Sequence, residues 1–174
     1  MVGLVVECDL VTLQGFHGTT RESGEEIVRT QTFKPSEKIT DWLGTGIYFY
    51  FEKIHADDWC TKRDYKDSMV LSACVCAEEN EILDLRTDDG KATFLEIQDM
   101  LGQYGKLEQT WQAAERNQCM VANAIWKACE YLKILAGDFA PKKTEFPTLT
   151  DARPRRPEFC VRSNDYIREI KEAI

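Results

Sequence analysis

The chain is short of several things. No apolar run approaches the ~20 residues of a membrane-crossing helix, so no membrane partner is expected. The opening MVGLVVECDL has no basic leader, and Glu7 and Asp9 interrupt it too early for a secretory signal. The seven cysteines (Cys8, Cys60, Cys74, Cys76, Cys119, Cys129 and Cys160) are odd in number and include no repeated CxxC pair. That argues against a disulfide framework or a zinc site, and no metal is expected. Several lie inside apolar runs as small hydrophobes would, which fits reduced thiols and a cytoplasmic site of action. Basic residues are outnumbered, 22 Lys and Arg against 30 Asp and Glu, for a net charge of −8. So acidic a chain is repelled by phosphate backbones, and contact with nucleic acid would need a local basic patch. There is no internal repeat and no low-complexity segment. What is present is 174 residues, 43% of them hydrophobic, enough for one domain (1–174) with a real core.

Residues 1–87 are rich in short apolar runs. Val11 to Phe16 reads as a strand ending at His17. Arg21 to Thr30 reads as a helix capped by Thr20 or Ser23, with Ile27 and Val28 facing inward. The polar stretch Thr32 to Leu43, with Pro35, reads as a loop. Strands are expected at Gly46 to Phe51, Met69 to Ala77 and Glu81 to Leu85, and a helix at Ile54 to Lys66. Residues 88–137 then read as helical. One helix starts at Asp88 and is punctuated by Gly102 and Gly105. A longer one carries Val121, Ile125, Cys129, Leu132 and Leu135 on one face and stops at Gly137. A proline-containing loop (138–157), a strand from Glu158 to Arg162 and a helix from Asn164 to Ile174 close the chain. The order is α+β, and its late strand must pair with early ones.

Four features could carry chemistry: His17-Gly18-Thr19, Gly44-Thr45-Gly46-Ile47-Tyr48-Phe49, Trp59 on the following helix, and Glu158 opening the late strand. Taken singly, each also fits an ordinary structural role: a strand-end histidine, a turn and core strand, a core aromatic, a strand-edge charge. In this order they resemble the ADP-ribosyltransferase superfamily, in its diphtheria-toxin-like and poly(ADP-ribose)-polymerase-like branch with the His-Tyr-Glu signature. The strands at Met69–Cys76 and Ile82–Leu85 resemble the next two of that family. The resemblance implies a split β-sheet core with flanking helices and a helical insertion, about 88–137, before the last strand. It implies NAD as co-substrate.

Breaking the nicotinamide–ribose bond leaves an oxocarbenium-like sugar, which a carboxylate beside it stabilises. By resemblance that carboxylate is Glu158, holding the ribose 2′-hydroxyl. Tyr48 and Trp59 would sandwich the pyridinium ring. Gly18, with Thr19 assisting and Gly46 lining the pocket, would hold the carboxamide end, and His17 would bind the adenosine ribose. There are departures. Ala56 stands where poly(ADP-ribose) polymerases usually carry serine, and Trp59 stands for a tyrosine. Arg156 stands where arginine-modifying relatives carry glutamate, which argues against arginine as acceptor.

The segment Asp151-Ala152-Arg153-Pro154-Arg155-Arg156-Pro157 is a local basic cluster in an acidic chain. It is either a solvated charge run or an acceptor-facing loop in which Arg153, Arg155 and Arg156 meet a nucleic acid or an acidic protein. The expected activity is mono-ADP-ribosylation of a macromolecule by a toxin or defence effector, with an antitoxin as a candidate partner. The alternatives are an NAD glycohydrolase and an inactive module that binds NAD or a partner. An RNA 2′-phosphotransferase, which shares that fold, needs a set of arginines and histidines, and His17 and His55 are the two histidines present.

Overall fold

A computed structural model describes residues 10–107, 114–139 and 156–174. In them seven strands form one sheet, with four helices: β1 (Leu10–Thr20), α1 (Arg21–Thr30), β2 (Ile47–Tyr50), α2 (Lys53–Lys62), β3 (Ser68–Glu78), β4 (Ile82–Asp84), α3 (Asp88–Gln103), α4 (Ala114–Ala128), β5 (Ile134–Phe139), β6 (Arg156–Val161) and β7 (Ile167–Glu172). The strand order is β4-β5-β6-β2-β1-β3-β7. Every neighbouring pair is antiparallel except β4 and β5.

Alternation along the strands sorts the side chains onto two faces. On one, Ile47, Phe49, Phe159, Val161, Leu71 and Val75 form a core with Phe33, and Ile27 and Val28 of α1 pack against it. The other face is covered by helices. Ala56 and Cys60 of α2 pack with Val70, Phe16 and Tyr50, while α4 brings Val121, Ile125 and Trp126 to Leu43, Leu135 and Cys160.

The sheet has a thin seam. β1 and β3 are paired along their whole length, from Leu10↔Glu78 to Thr20↔Ser68. β2 and β6 pair from Ile47↔Val161 to Tyr50↔Glu158. Between β1 and β2 the one register pair is Phe16↔Tyr50.

Several expectations hold. Thr20 caps α1, its hydroxyl accepting from Ser23 N at 3.3 Å, and Gln31 ends the helix in the left-handed region. Three need correction. β1 does not stop at His17 but carries His17, Gly18 and Thr19 within it. The expected long helix ends at Ala128: Leu132 lies beyond it and Leu135 and Gly137 are in β5, so residues 88–137 are two helices and most of a strand. The closing segment is a short 3₁₀ turn at Asn164–Tyr166 followed by strand β7, not a helix. No helix among the described residues is long and apolar enough to cross a membrane.

Candidate active site

Strand β6 delivers Glu158 to the helix-covered face. Its cross-strand neighbours are Tyr50 on β2 and Gly137 on β5. The carboxyl is buried, with only 7% of the residue exposed. Burial pushes its pKa up to about 7, against the Trp42 hydrogen bond, the adjacent Tyr50 phenol and the charge of Arg156, which pull it back. Trp42 Nε1 donates to Glu158 Oε2 at 3.3 Å. The indole lies over Gly137, where a Cβ would stand 2.6 Å from its ring edge. Burial and the neighbouring Glu158 charge raise the pKa of the Tyr50 phenol, so Tyr50 stays protonated beside the carboxyl.

Tyr48 shares this face, packed beside Trp42 and Cys160. Its hydroxyl is turned back onto the preceding turn, donating to Gly44 O at 2.8 Å and accepting from Leu43 N at 3.0 Å. Burial raises its pKa, so it stays neutral. Helix α4 braces the same turn. Asn123 Oδ1 accepts from Thr45 N at 2.8 Å and Trp126 Nε1 donates to Leu43 O at 3.0 Å. Gly46 exchanges both backbone hydrogen bonds with Ser36, and a side chain there would meet Cys160 Sγ and Val161 O of β6.

His17 crosses the seam. Its Nδ1 is 2.9 Å from Tyr48 O. A carbonyl only accepts, so Nδ1 carries the proton and Nε2 keeps a lone pair. Burial lowers the ring's pKa, which favours this neutral form. The ring sits edge-on to Phe33 with centroids 5.1 Å apart. Gly18 faces α2, and a Cβ there would stand 2.5 Å from Ala56 O and 2.7 Å from Cys60 Sγ. Helix packing is therefore a reason for this glycine beside any ligand. Thr19 O accepts from Cys60 Sγ at 3.8 Å. Trp59 is half-buried on α2, with the Arg63 guanidinium 5.2 Å above its ring.

Arg156 lies within β6 itself, and its Nη2 is 3.2 Å from Asp58 Oδ2 on α2. Arg153 and Arg155 fall outside the described residues. His55 Nδ1, on α2 near the Tyr50 ring, is buried without a hydrogen-bond partner among the described residues.

Sequence reasoning missed Trp42 and Tyr50. Tyr50 had a signal: two residues after Tyr48 on a strand, it must share Tyr48's face. Trp42 had none, because it lies in an irregular turn whose course α4 decides.

The chain is similar to the "Uncharacterized protein MJ0359" of Methanocaldococcus jannaschii, 36% identical over 85 residues. The match covers 45% of this chain and 40% of that protein's length. No protein-family model matches the chain, and no solved structure matches it.

Proposed function

We propose that this chain is an NAD-dependent ADP-ribosyltransferase built on a split β-sheet of that family's kind. The observation that carries the reading is the buried Glu158, which accepts a hydrogen bond from Trp42 and stands across from Tyr50 on the same sheet face as Tyr48. Supporting it are the order of the four motifs in the sequence, the thin seam between β1 and β2, and the neutral His17 that ties Tyr48 to β1 across that seam.

In this reaction the bond between ribose C1′ and the nicotinamide nitrogen breaks. The electron pair leaves with the neutral pyridine, and positive charge develops on the sugar. Ionised Glu158 accepts a hydrogen bond from the ribose 2′-hydroxyl and stabilises that charge, an interaction strongest in the transition state. Tyr48 and Trp59 hold the ring, Gly18 and Thr19 its carboxamide, Gly46 lines the pocket, and His17 Nε2 accepts from the adenosine ribose. The nucleophile on the acceptor then attacks C1′ and loses its proton.

The acceptor is a macromolecule with anionic character, met by the basic segment that holds Arg153 and Arg155. Arg156 anchors that segment's end to Asp58 on α2. A toxin or defence role, with a cognate antitoxin, fits such an activity.

The test is NAD carrying label in the adenosine half, incubated with a cell lysate and either wild type or Glu158→Gln. Nicotinamide release with label on protein or nucleic acid is expected from wild type. Turnover should fall roughly 10²–10⁴-fold in the variant, with NAD binding kept. Label only in free ADP-ribose would move the assignment to an NAD glycohydrolase. Binding without release would make the chain an NAD-binding module, and equal rates in wild type and variant would take Glu158 out of the mechanism.

A further inference from the structure

We propose that Trp42 and Tyr50 are positioning residues that hold the Glu158 carboxylate ionised and aimed at its substrate. This inference rests on the catalytic role given to Glu158 above.

The two groups come from different elements. Trp42 belongs to the turn before β2, and Tyr50 is the cross-strand partner of Glu158 itself. Indole N–H can only donate, and the buried phenol is held protonated, so both groups serve the ionised carboxylate in preference to the neutral acid. The Trp42 bond gives the carboxylate a fixed direction, the Tyr50 phenol stands beside it as the cross-strand neighbour, and lone pairs stay free for a sugar hydroxyl. A carboxylate free to rotate would spend part of its time turned away from the sugar.

The remaining groups around it do not substitute for this pair. Arg156 contributes positive charge but is itself bonded to Asp58 of α2. Asp41, at the start of the same turn, opposes ionisation. The Tyr48 hydroxyl is used by Leu43 and Gly44, and the Cys160 thiol is held neutral by burial. Strand β5 presents Gly137, which has no side chain, directly opposite Glu158, with Asp138 next along. From α2, His55 faces the Tyr50 ring. Gly137 also explains how Trp42 gets there: its missing Cβ is the space the indole edge occupies.

Trp42→Phe and Tyr50→Phe each delete one donor and keep a ring. The full chain, without NAD, is titrated by carbon NMR with label in the glutamate carboxyls, Glu158→Gln identifying the resonance. In each variant the Glu158 midpoint should move to higher pH by about one unit, equivalent to a roughly tenfold smaller ionised fraction below the midpoint. NAD cleavage should fall correspondingly at low pH, with the deficit narrowing as pH rises and KM for NAD changed much less than kcat. A midpoint unmoved in both folded variants overturns the proposal, whatever happens to activity. Because the titration needs no NAD, a moved midpoint in a chain that never cleaves NAD would sustain the positioning role and defeat the catalytic reading. Glu158-dependent cleavage with unmoved midpoints would do the reverse.

Discussion

Burial raises the pKa of the Glu158 carboxyl toward neutral pH, and that has a cost in stability. An exposed glutamate ionises at about 4.5, and burial moves Glu158 to about 7. The folded state therefore binds the proton more tightly than the unfolded state between these values. Stability falls as pH rises through that window, by an amount on the order of 3 kcal/mol when ionisation is complete. A neutral amide of the same shape escapes this cost. Glu158→Gln should unfold at a higher temperature than wild type at pH 8, while the two converge near pH 4. Thermal melts at the two pH values check it, and a variant less stable than wild type at pH 8 would contradict the assigned burial cost. Activity should run the opposite way. In the proposed mechanism only the ionised form stabilises the oxocarbenium ion, so the rate of NAD cleavage should climb between about pH 6 and 8 with a midpoint near that of Glu158. An initial-rate profile flat across this range would separate the rate-limiting step from the carboxyl. On the proposed mechanism, activity and stability pull against each other at this one residue.

At the scale of elements, α4 holds the turn that carries Trp42. Asn123 takes the Thr45 N–H, Trp126 reaches Leu43 O, and Gly44 adopts a left-handed conformation (φ 78°) within 2.6 Å of Asn123 Oδ1, measured from where a Cβ would stand. Asn123→Ala leaves the Thr45 amide without its acceptor, at a cost of about 1–3 kcal/mol. Urea denaturation should show that loss, with kcat reduced because Trp42 is less well fixed; an unchanged midpoint and unchanged kcat would make the brace incidental. This partnership was not legible in the sequence, because nothing in 88–137 says which surface the helices cover. Local signals fared better. The Thr20 cap, the apolar strand at β3 and the pairing of a late strand with early ones could all be read directly. Two elements were misread for identifiable reasons. Leu132 and Leu135 continue the spacing of Val121, Ile125 and Cys129 by coincidence, since α4 ends and β5 returns under it. In β7, Ile167 and Ile170 both face inward at a spacing of three, which mimics a helix turn. Glu169 between them has φ 54°, and the β3–β7 register shifts between Ser72 and Cys74, so an irregular strand produced the helical spacing. Of the proposed site, Tyr48 and Glu158 lie on strands that the sequence pattern placed, whereas the approach of Trp42 and Tyr50 to Glu158 was not legible, because it depends on the turn and on cross-strand register.

For the whole molecule, the decisive feature is that the sheet is really two paired units, β7-β3-β1 and β2-β6-β5-β4, meeting at one register pair. A continuous ladder across this junction would close the gap; here a side chain bridges it. His17 Nδ1 donates to Tyr48 O and ties the second unit to the first close to where they diverge. The proposed NAD site draws on both units, Gly18 and His17 from one, Tyr48 and Glu158 from the other. A ligand that contacts both should stabilise the junction by mass action, raising the melting temperature as its concentration exceeds Kd. The strap and the ligand contact can be separated at His17. Asparagine places an amide N–H where Nδ1 stands but has nothing at the position of Nε2, whereas alanine lacks both. His17→Ala should therefore lose about 1–3 kcal/mol of stability through the orphaned Tyr48 carbonyl and the emptied space beside Phe33, and His17→Asn clearly less. Both should bind NAD more weakly than wild type, since both lack Nε2. Chemical denaturation without ligand measures the first effect and calorimetric titration with NAD the second. If His17→Asn retained wild-type NAD affinity, the histidine would be a strap across the seam and nothing more, and the adenosine ribose would have to be held by other groups.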